Sequence, residues 1–410
     1  MTDVEIDPFE RFNRAMGAGK VEDPYPGFAE LRGNGDVQPA DMRLLFGLDT
    51  GEPPPGSPPI YTAYSYKAVA QVLGDGETFS SKMYEDVMGV VMGHTILEMD
   101  EPEHRKYRTL LQQAFTKKSL DHWENELVRP VIDRLIDKFI DGGRAELVTE
   151  LTLPFPVDVI GGLFGIPEDE MKQFHVWTVE LISVGLDFEG AINASKQIRD
   201  HLKVLLEERR AEGCVGQDLL SILGRAELDG QKLTDDEIFA FCCLLLPAGA
   251  ETTYRSSSNL LYGLLTHPDQ LDVVRSDPET MIPKAMEEGL RWEPPLLMIM
   301  RQATKDTEVC GVPIAKGSLV VTSLGAANHD GTRWDNAEEI DVQRDPHQHM
   351  AFAFGPHMCL GQHLARMETR VLFEQLFARL PGMRLDPDAE VGPITGLTFR
   401  APTALPVIWD

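Results

Sequence analysis

The chain has 410 residues, 42% of them hydrophobic, and its 66 Asp and Glu residues outnumber its 38 Lys and Arg residues to give a formal net charge of −28. The apolar fraction is ordinary for a folded protein and excludes a disordered chain, whereas the negative charge argues against nucleic acids and anionic membranes as principal partners. Five cysteines, an odd number without a CxxC pair, fit neither a disulfide scaffold nor a zinc knuckle.

The N-terminus and the apolar runs bear on where the protein is located. Residues 1–12 are acidic and lack the basic and apolar regions of a secretion signal. The longest apolar run, residues 238–250, is interrupted by Pro247 and Gly249 and is too short to span a bilayer. We therefore expect a cytoplasmic protein without a membrane anchor.

The N-terminal half is mainly helical in pattern. Residues 58–62 predict a short strand. Ser119 is the predicted N-cap of an amphipathic helix that Pro130 interrupts and that ends at the glycine pair 142–143. A further helix is expected to begin near Pro167, with carboxylates in its first turn.

Helical patterning continues in the C-terminal half. Thr234 and Glu237 form a capping box, which predicts the start of an apolar helix that runs through residue 260. Residues 307–313 and 318–322 predict a β-hairpin that turns at 315–317.

The end of the chain combines a helix with a small β unit. The segment after residue 360 has apolar residues at helical spacing, and the tail from about residue 393 alternates as strands do. No linker divides the chain. We therefore expect one mainly helical domain over residues 1–410, with a helix-rich part and a small β-rich part that are not separable.

Ten residues from Phe352 to Gly361, with the sequence FAFGPHMCLG, surround Cys359. A haem iron that must cleave O2 needs an electron-rich axial ligand, and a cysteine thiolate supplies one. Backbone N–H groups of the loop and the start of the following helix would keep that thiolate deprotonated. Gly355 and Gly361 allow the backbone to approach sulfur and porphyrin closely, and His357 can direct a donor towards a haem propionate. A lone cysteine would favour an ordinary buried thiol, but these neighbours favour an iron ligand.

The loop resembles the cysteine loop of the cytochrome P450 family, Phe-x-x-Gly-x-His/Arg-x-Cys-x-Gly. Every specified position is matched, and Ala353 stands where glycine is common. The resemblance implies a mainly α fold with small β-sheets, in which a triangular prism of helices encloses haem b. It also implies Cys359 as the iron ligand, with Phe352, Gly355 and Gly361 in the haem-binding loop, and it implies monooxygenase activity.

Glu288 and Arg291 are three residues apart, so they lie on one helix face and can form an ion pair. Two further Glu-x-x-Arg matches, at 126–129 and 207–210, are best interpreted as solvated helix pairs. Glu288 is distinguished by its place about seventy residues before the cysteine loop and by the Trp-Glu-Pro-Pro that follows. The resemblance implies a buried pair that is joined by an arginine, for which Arg344 is the candidate, and that has a structural role.

An acid and a hydroxyl, Glu251 and Thr252, lie in the middle of the apolar helix, where they are costly unless they have a task. Pro247 lacks an N–H and Gly249 leaves room beside the helix axis, which predicts a kink with a groove. The resemblance implies that Ala248 and Gly249 line an O2 groove at the haem, with Thr252 stabilising the iron-bound peroxide and Glu251 relaying protons. A Ser/Thr-tolerant helix junction is the plainer alternative.

His104 and Arg108 are four residues apart and therefore share a helix face. Cationic groups of this kind bind carboxylates such as haem propionates. The resemblance implies Arg301 as a third propionate partner beside His357. An exposed basic helix face is the alternative.

Segments that line the substrate cavity in the family can be located by position. They are rich in methionine, which adapts its shape and indicates a roomy apolar cavity, although many of these residues could simply pack the core. No Lys or Arg lies in 88–96 or 296–300, so we expect a neutral, mid-sized hydrophobic substrate such as a terpenoid, steroid or aromatic. The candidate pocket residues are Met83, Met88, Met92, Leu186, Leu245, Leu296, Met298, Met300 and Leu397.

No flavin or iron–sulfur module is present in the sequence, so a separate electron donor is required. Several basic side chains around the cysteine loop would form a basic island that suits an acidic iron–sulfur ferredoxin, itself supplied by a reductase. We expect the protein to be a monomer. The basic residues are Arg105, Lys106, Lys117, Lys118, His363 and Arg366.

Two other functions stay open at this point. A peroxide-driven or isomerising haem-thiolate enzyme is disfavoured by the intact Glu251–Thr252 pair. A haem-binding sensor without turnover is disfavoured because no regulatory domain is visible and because Gly249 and Thr252 argue for an open distal site.

Overall fold

The computed structural model describes residues 19–48, 56–185 and 187–410. Within these ranges the α-helices are, in chain order, α1 (Tyr25–Gly33), α2 (Met42–Leu45), α3 (Tyr66–Gly74), α4 (Val90–Met92), α5 (Glu103–Gln112), α6 (Lys117–Trp123), α7 (Arg129–Asp137), α8 (Pro154–Phe164), α9 (Met171–Ile182), α10 (Phe188–Ala211), α11 (Leu219–Arg225), α12 (Asp235–Thr266), α13 (Pro268–Ser276), α14 (Pro278–Trp292), α15 (Leu324–Asn328) and α16 (Gln362–Arg379). The β-strands are β1 (Val37–Gln38), β2 (Ile60–Ala63), β3 (Phe79–Ser80), β4 (Arg144–Glu146), β5 (Glu227–Leu228), β6 (Gln231–Lys232), β7 (Met298–Ala303), β8 (Thr307–Val309), β9 (Val312–Ile314), β10 (Leu319–Ser323), β11 (Arg384–Leu385), β12 (Ile394–Thr395), β13 (Ala401–Pro402) and β14 (Pro406–Ile408). The mainly helical class with small sheets is confirmed. None of the helices in the described ranges is both long and apolar enough to cross a membrane.

The described chain divides into two compact units. The first contains residues 84–254 and 360–380, and the second contains residues 19–83, 255–359 and 381–410, apart from the undescribed positions. Each unit is assembled from separate stretches of sequence, which is why no linker is visible in the sequence.

In the first unit, α16 is attached to the region around α7 by an ion-pair network. Arg129 binds Glu124 at 2.6 Å and Glu374 at 2.9 Å, and Arg370 binds Glu374 at 2.6 Å as well as Glu124. α7 also has an apolar, buried face, because its hydrophobic residues recur at helical spacing. These buried residues are Val131, Ile132, Leu135 and Ile136.

The second unit contains a five-stranded sheet with the strand order β1-β2-β10-β7-β3. β10 pairs in parallel with β2 and antiparallel with β7, and this places Val320 opposite Arg301. α3 packs its apolar face against the sheet, with Val69 and Val72 fully buried beside Val320.

The predicted helix ends were partly confirmed. Thr234 and Glu237 form the capping box, with Thr234 N–H donating to the Glu237 carboxylate at 2.7 Å. The predicted N-cap at Ser119 was wrong: the Thr116 hydroxyl accepts from the N–H of Ser119 and caps α6 one turn earlier. Pro130 lies in the first turn of α7, directly after the π-helical segment Glu124–Val128, so the helical hydrogen-bond pattern changes at this point without the chain leaving the helix.

The predicted hairpin was also misplaced. β8 pairs with β9, so the chain turns at Cys310 and Gly311 rather than at 315–317. Both turn residues have positive φ, 49° and 82°, as a tight two-residue hairpin turn requires. Cysteine is an unusual residue in such a position, and this hid the turn in the sequence.

Candidate active site

The segment from Phe352 to Cys359 folds into a tight loop in the second unit. The N–H of Cys359 donates to the carbonyl of Phe352 at 2.8 Å, and the N–H of Met358 donates to the carbonyl of Gly355 at 3.1 Å. Gly355 has a φ of 72°, and a Cβ at this position would overlap the carbonyl oxygen of Leu73. Glycine is therefore required at 355 for both backbone conformation and space.

Ala353, which departs from the usual glycine, also has a positive φ, 60°. A residue with a Cβ in this left-handed conformation costs roughly 1–2 kcal/mol relative to an ordinary one. The surrounding bonds hold it there, because the N–H of Ala353 donates to the carbonyl of Met350 at 2.8 Å. The loop thus keeps a strained shape, which is common at functional sites.

Cys359 is half-buried and precedes α16, whose N-cap is Gly361. A Cβ at Gly361 would meet no atom of the protein within 4 Å, so the backbone borders open space there. The His357 Nε2 atom lies 3.4 Å from the Ser81 hydroxyl. A thiol on a rigid loop beside a helix start, with open space next to it, is a suitable ligand for a metal-centred cofactor.

In the first unit, the middle of α12 has an exposed stripe. Ala248 is exposed, while Leu244 and Thr252, one turn on either side, are half-buried in an otherwise buried helix. The Thr252 hydroxyl donates to the Ala248 carbonyl at 2.7 Å. This places a proton-carrying group on the accessible face of an apolar helix.

The neighbouring residues of α12 point into the protein. Glu251 is 5% exposed. A Cβ on Gly249 would lie 2.8 Å from Ile160 Cδ1, so the missing side chain allows α8 to pack closely. The helix continues through Pro247 without a break. The accessible face of α12 thus lies at Ala248 and Thr252, whereas Gly249 faces α8.

Glu368 in α16 was missed by the sequence analysis. It is 2% exposed, and its Oε2 atom accepts a hydrogen bond from the Thr253 hydroxyl at 3.3 Å. The pKa of Glu368 is raised to about 8, because burial raises it strongly and the hydrogen bond from the Thr253 hydroxyl offsets only part of that rise. Glu368 is therefore protonated at neutral pH. In the sequence, the burial of Glu368 could have been inferred from its place on the apolar face of the predicted helix, beside Leu364 and Val371.

Glu288, Arg291 and Arg344 are brought together in the second unit. Arg291 donates from Nε and Nη2 to the two oxygens of Glu288, both at 2.8 Å, and Arg344 Nε donates to Glu288 Oε1 at 3.2 Å. Arg291 also donates to the carbonyls of Ala337 and Glu339. The cluster binds α14 to the irregular segment that leads to the cysteine loop.

The predicted propionate ligands occupy both units. His104 is buried in α5 with its Nδ1 atom 3.4 Å from Glu101 Oε1, and Arg108 is half-buried one turn later. Arg301 is buried in β7 and donates to the carbonyl of Met300 at 2.8 Å.

The predicted pocket residues differ in burial. Met298 and Leu397 belong to one apolar core cluster of the second unit, and Met92 and Leu245 are buried in the first. Leu186 lies outside the described residues. The half-buried members are Met83, Met88, Leu296 and Met300.

These features fit a haem group. Cys359 supplies a soft sulfur ligand on a loop held by backbone hydrogen bonds, and the backbone at Gly361 borders open space. The centre of α12 has an exposed small residue, Ala248, and a half-buried hydroxyl, Thr252. Arg108 and Arg301 add permanent positive charge for propionates.

Comparisons with known proteins identify the family. A family model described as Cytochrome P450 matches residues 157–381. The protein named Putative cytochrome P450 YjiB of Bacillus subtilis is 37% identical over 333 residues, 79% of this chain and 83% of the relative. The Steroid C26-monooxygenase of Mycobacterium tuberculosis is 33% identical and covers 82% of this chain and 91% of its own length.

Solved structures also indicate the cytochrome P450 family. The crystal structure of CYP109E1 from Bacillus megaterium in complex with testosterone is similar with a TM-score of 0.83 and 28% identity, over 95% of this chain and 99% of that one. The predicted P450 fold is thereby confirmed. Members of the family use O2 and receive electrons from redox partners. This chain belongs to the cytochrome P450 family and is a bacterial-type P450 monooxygenase whose cofactor is haem b with a cysteine thiolate ligand.

Proposed function

We propose that this monooxygenase inserts one oxygen atom from O2 into a neutral, mid-sized hydrophobic molecule, with Cys359 as its iron ligand. The observation that carries the proposal is the loop from Phe352 to Cys359, whose backbone has positive φ at Ala353 and Gly355 and holds Cys359 two residues before Gly361, where the backbone borders open space. An ordinary core cysteine needs no such strain, because a buried thiol packs as a small apolar side chain.

The side chains around the cofactor have separate tasks. When bound, the haem supplies activation of O2 at its iron. His104, Arg108, Arg301 and His357 would bind the propionates. Thr252 can exchange its bond to the Ala248 carbonyl for donation of a proton to oxygen, and such transfer typically contributes 10²–10⁴-fold in rate.

Glu251 would resupply protons to Thr252. As a glutamate where many family members carry aspartate, it has one more rotatable bond, and we expect a changed rate of proton delivery rather than loss of function. The residues 1–410 act in this proposal as one domain, and the enzyme works as a monomer in the cytoplasm.

The substrate class rests on the half-buried Met83, Met88, Leu296 and Met300. Methionine side chains adapt to irregular apolar ligands. A relative is named for action on steroids and a structural neighbour contains testosterone, which supports a steroid or a molecule of similar size, including terpenoids and aromatics. A screen for substrate-induced low- to high-spin Soret shifts should favour neutral steroids and terpenes over fatty acids. A shift with fatty acids alone would contradict the substrate class.

The electron donor in the proposal is an acidic ferredoxin with its reductase. The basic residues that would bind it belong to the first unit. Lys106, Lys118 and His363 are exposed, whereas Arg105 and Lys117 form ion pairs with Glu101 and Asp121. Local positive charge on a chain of net charge −28 directs an acidic partner to this surface.

The ferredoxin surface can be tested with Arg366→Glu. Reversing this charge should slow reduction by ferredoxin at least about tenfold at low salt, with the difference shrinking as salt screens the interaction. Arg384→Glu, an exposed charge reversal in the second unit, is the control and should leave the rate within about twofold. Equal effects of the two reversals would indicate a general charge effect and no specific surface.

The iron ligand is tested by Cys359→Ala. The wild-type protein, reduced and exposed to carbon monoxide, should show the thiolate-shifted Soret band, and the variant should lack it. Cys310→Ala, at the β8–β9 turn, should keep the band. A band retained by Cys359→Ala would refute the assignment.

Peroxide-driven turnover is distinguished by the oxidant. We expect product with ferredoxin, its reductase and O2, and much less with hydrogen peroxide alone. The opposite pattern would favour the peroxide-driven enzyme.

A further inference from the structure

A polar cleft opens in the first unit between the end of α5, the start of α6 and α11. Its volume is about 190 Å³. Since a water molecule takes up roughly 30 Å³ of liquid, the cleft has room for a small ion with part of its hydration shell. Ile222 and Ala226, both buried, form its apolar part. Its polar walls are made by Gln113, Thr116, Lys118, Ser119, Gln217 and Arg225.

The charge of this lining differs from that of the whole protein. Lys118 and Arg225 contribute two positive charges, and no carboxylate lines the cleft, although the chain has a net charge of −28. Two cationic side chains that line one cleft attract an anion.

The acidic residues nearest in sequence already have cationic partners. Asp121 binds Lys117 Nζ at 2.5 Å, Asp218 lies 3.4 Å from Arg209 Nε, and Glu227 lies 3.8 Å from Lys232 Nζ. Their charges are thus committed elsewhere, and the positive charges of the cleft stay uncompensated among the described residues.

Arg225 is held in place while keeping donors for a ligand. Its Nη1 atom donates to the carbonyls of Cys214 and Gly216, both at 2.6 Å. An arginine has five N–H groups, so those on Nε and Nη2 remain for an acceptor. The fixed guanidinium matches an oxyanion because it can offer two parallel donors.

Hydroxyl groups complete the wall. The Thr116 and Ser119 hydroxyls are 2.9 Å apart and bonded to each other, and Ser119 is only 4% exposed. One of the two hydroxyls donates its proton to the other. The hydroxyl that accepts this bond can still donate its own proton to a ligand.

We propose that this polar cleft is a binding site for a phosphate-class oxyanion, held by Lys118, Arg225 and a hydroxyl of the Thr116–Ser119 pair. The cleft shares Lys118 with the basic residues proposed to bind ferredoxin, and none of its lining residues belongs to the cysteine loop. Anion binding there does not depend on the oxidation chemistry. It would give the enzyme a means to respond to a small phosphorylated or inorganic anion.

The test measures binding of inorganic phosphate to the holoenzyme. Equilibrium dialysis with radiolabelled phosphate, at constant ionic strength set with sodium chloride, should show one saturable site per chain. Sulfate should compete for it, because it has the same tetrahedral shape and a double negative charge, while extra chloride should compete poorly.

Two neighbouring lysines provide a matched pair of variants. Lys118→Gln should weaken phosphate binding at least about tenfold. Lys117→Gln, which removes an equal charge from an ion pair with Asp121 outside the cleft, should change it less than about twofold. Thermal unfolding checks that both variants fold. The absence of saturable binding, or equal weakening by the two variants, would overturn the proposal.

Discussion

Glu288 and Glu368 are both almost completely buried, with exposed fractions of 5% and 2%, yet their surroundings differ in charge. Glu288, in the second unit, receives hydrogen bonds from two arginines and from the N–H of Asp341. Glu368, in the first unit, receives one hydrogen bond from the residues that the structure describes, the bond from Thr253, and burial raises its pKa to about 8.

The comparison shows how the surroundings decide whether a buried carboxyl is charged. A buried carboxylate needs positive partners to offset the loss of hydration, and Arg291 and Arg344 provide this for Glu288. A single neutral hydroxyl does not offset the lost hydration of a carboxylate, so Glu368 keeps its proton. The first arrangement makes a rigid structural joint, and the second stores a proton in the helix that follows Cys359.

The largest effect is expected for Glu288→Gln. The substitution leaves the buried Arg291 and the half-buried Arg344 without their carboxylate, which should lower the free energy of unfolding by about 3–5 kcal/mol. Urea denaturation of the holoenzyme measures it. Glu126→Gln, an exposed glutamate of another Glu-x-x-Arg match, is the control and should cost less than about 1 kcal/mol. Equal losses would mean that Glu288 is not a structural joint.

Glu368→Gln should change how stability depends on pH. The folded protein keeps this proton up to about pH 8, whereas the unfolded chain releases it near the ordinary value of 4.5. The unfolded state therefore binds fewer protons between these values, and the free energy of unfolding of the wild type falls as pH rises through this window.

Glutamine has no proton to release. The free energy of unfolding of the variant should therefore rise, relative to that of the wild type, by about 1.4 kcal/mol for each pH unit in that window. The two proteins should differ least near pH 4.5, and above pH 8 the difference should stay constant. Urea denaturation at a series of pH values provides the measurement. Parallel pH profiles would show that Glu368 is charged in the folded protein.

The smallest effect is expected for Thr253→Val, which removes the hydroxyl that lowers the pKa of Glu368. The pKa should then rise further, and the pH at which stability levels off should move upward by up to about one unit. Thr266→Val, whose hydroxyl in the same helix donates to the backbone carbonyl of Tyr262, is the control. A shift in the control as large as in Thr253→Val would contradict a specific bond to Glu368.

The features that could be predicted from the sequence are those set by residues close together along the chain. The capping box at Thr234 and the helix after Cys359 were confirmed, because caps and periodicity act within a few residues. Ser119 was a less successful choice because Thr116, three residues earlier, can cap the same helix with the same chemistry.

Longer-range features were harder to predict. Glu368 and Thr253 are 115 residues apart, and no local pattern joins them. The β8–β9 hairpin turns at Cys310, a residue that seldom has positive φ. The contact between Arg344 and Glu288 was predicted only through the family resemblance. The polar cleft has no sequence signature, since two stretches of the chain about a hundred residues apart form it.

The ion pairs between α7 and α16 also set an order for biosynthesis. Arg379 and Asp133 are bonded although they are 246 residues apart. At a translation rate of about 5–20 residues per second, α16 emerges roughly 10–50 s after α7. Throughout that interval the nascent first unit lacks one of its helices, so it must wait for nearly the whole chain before its charge network can close.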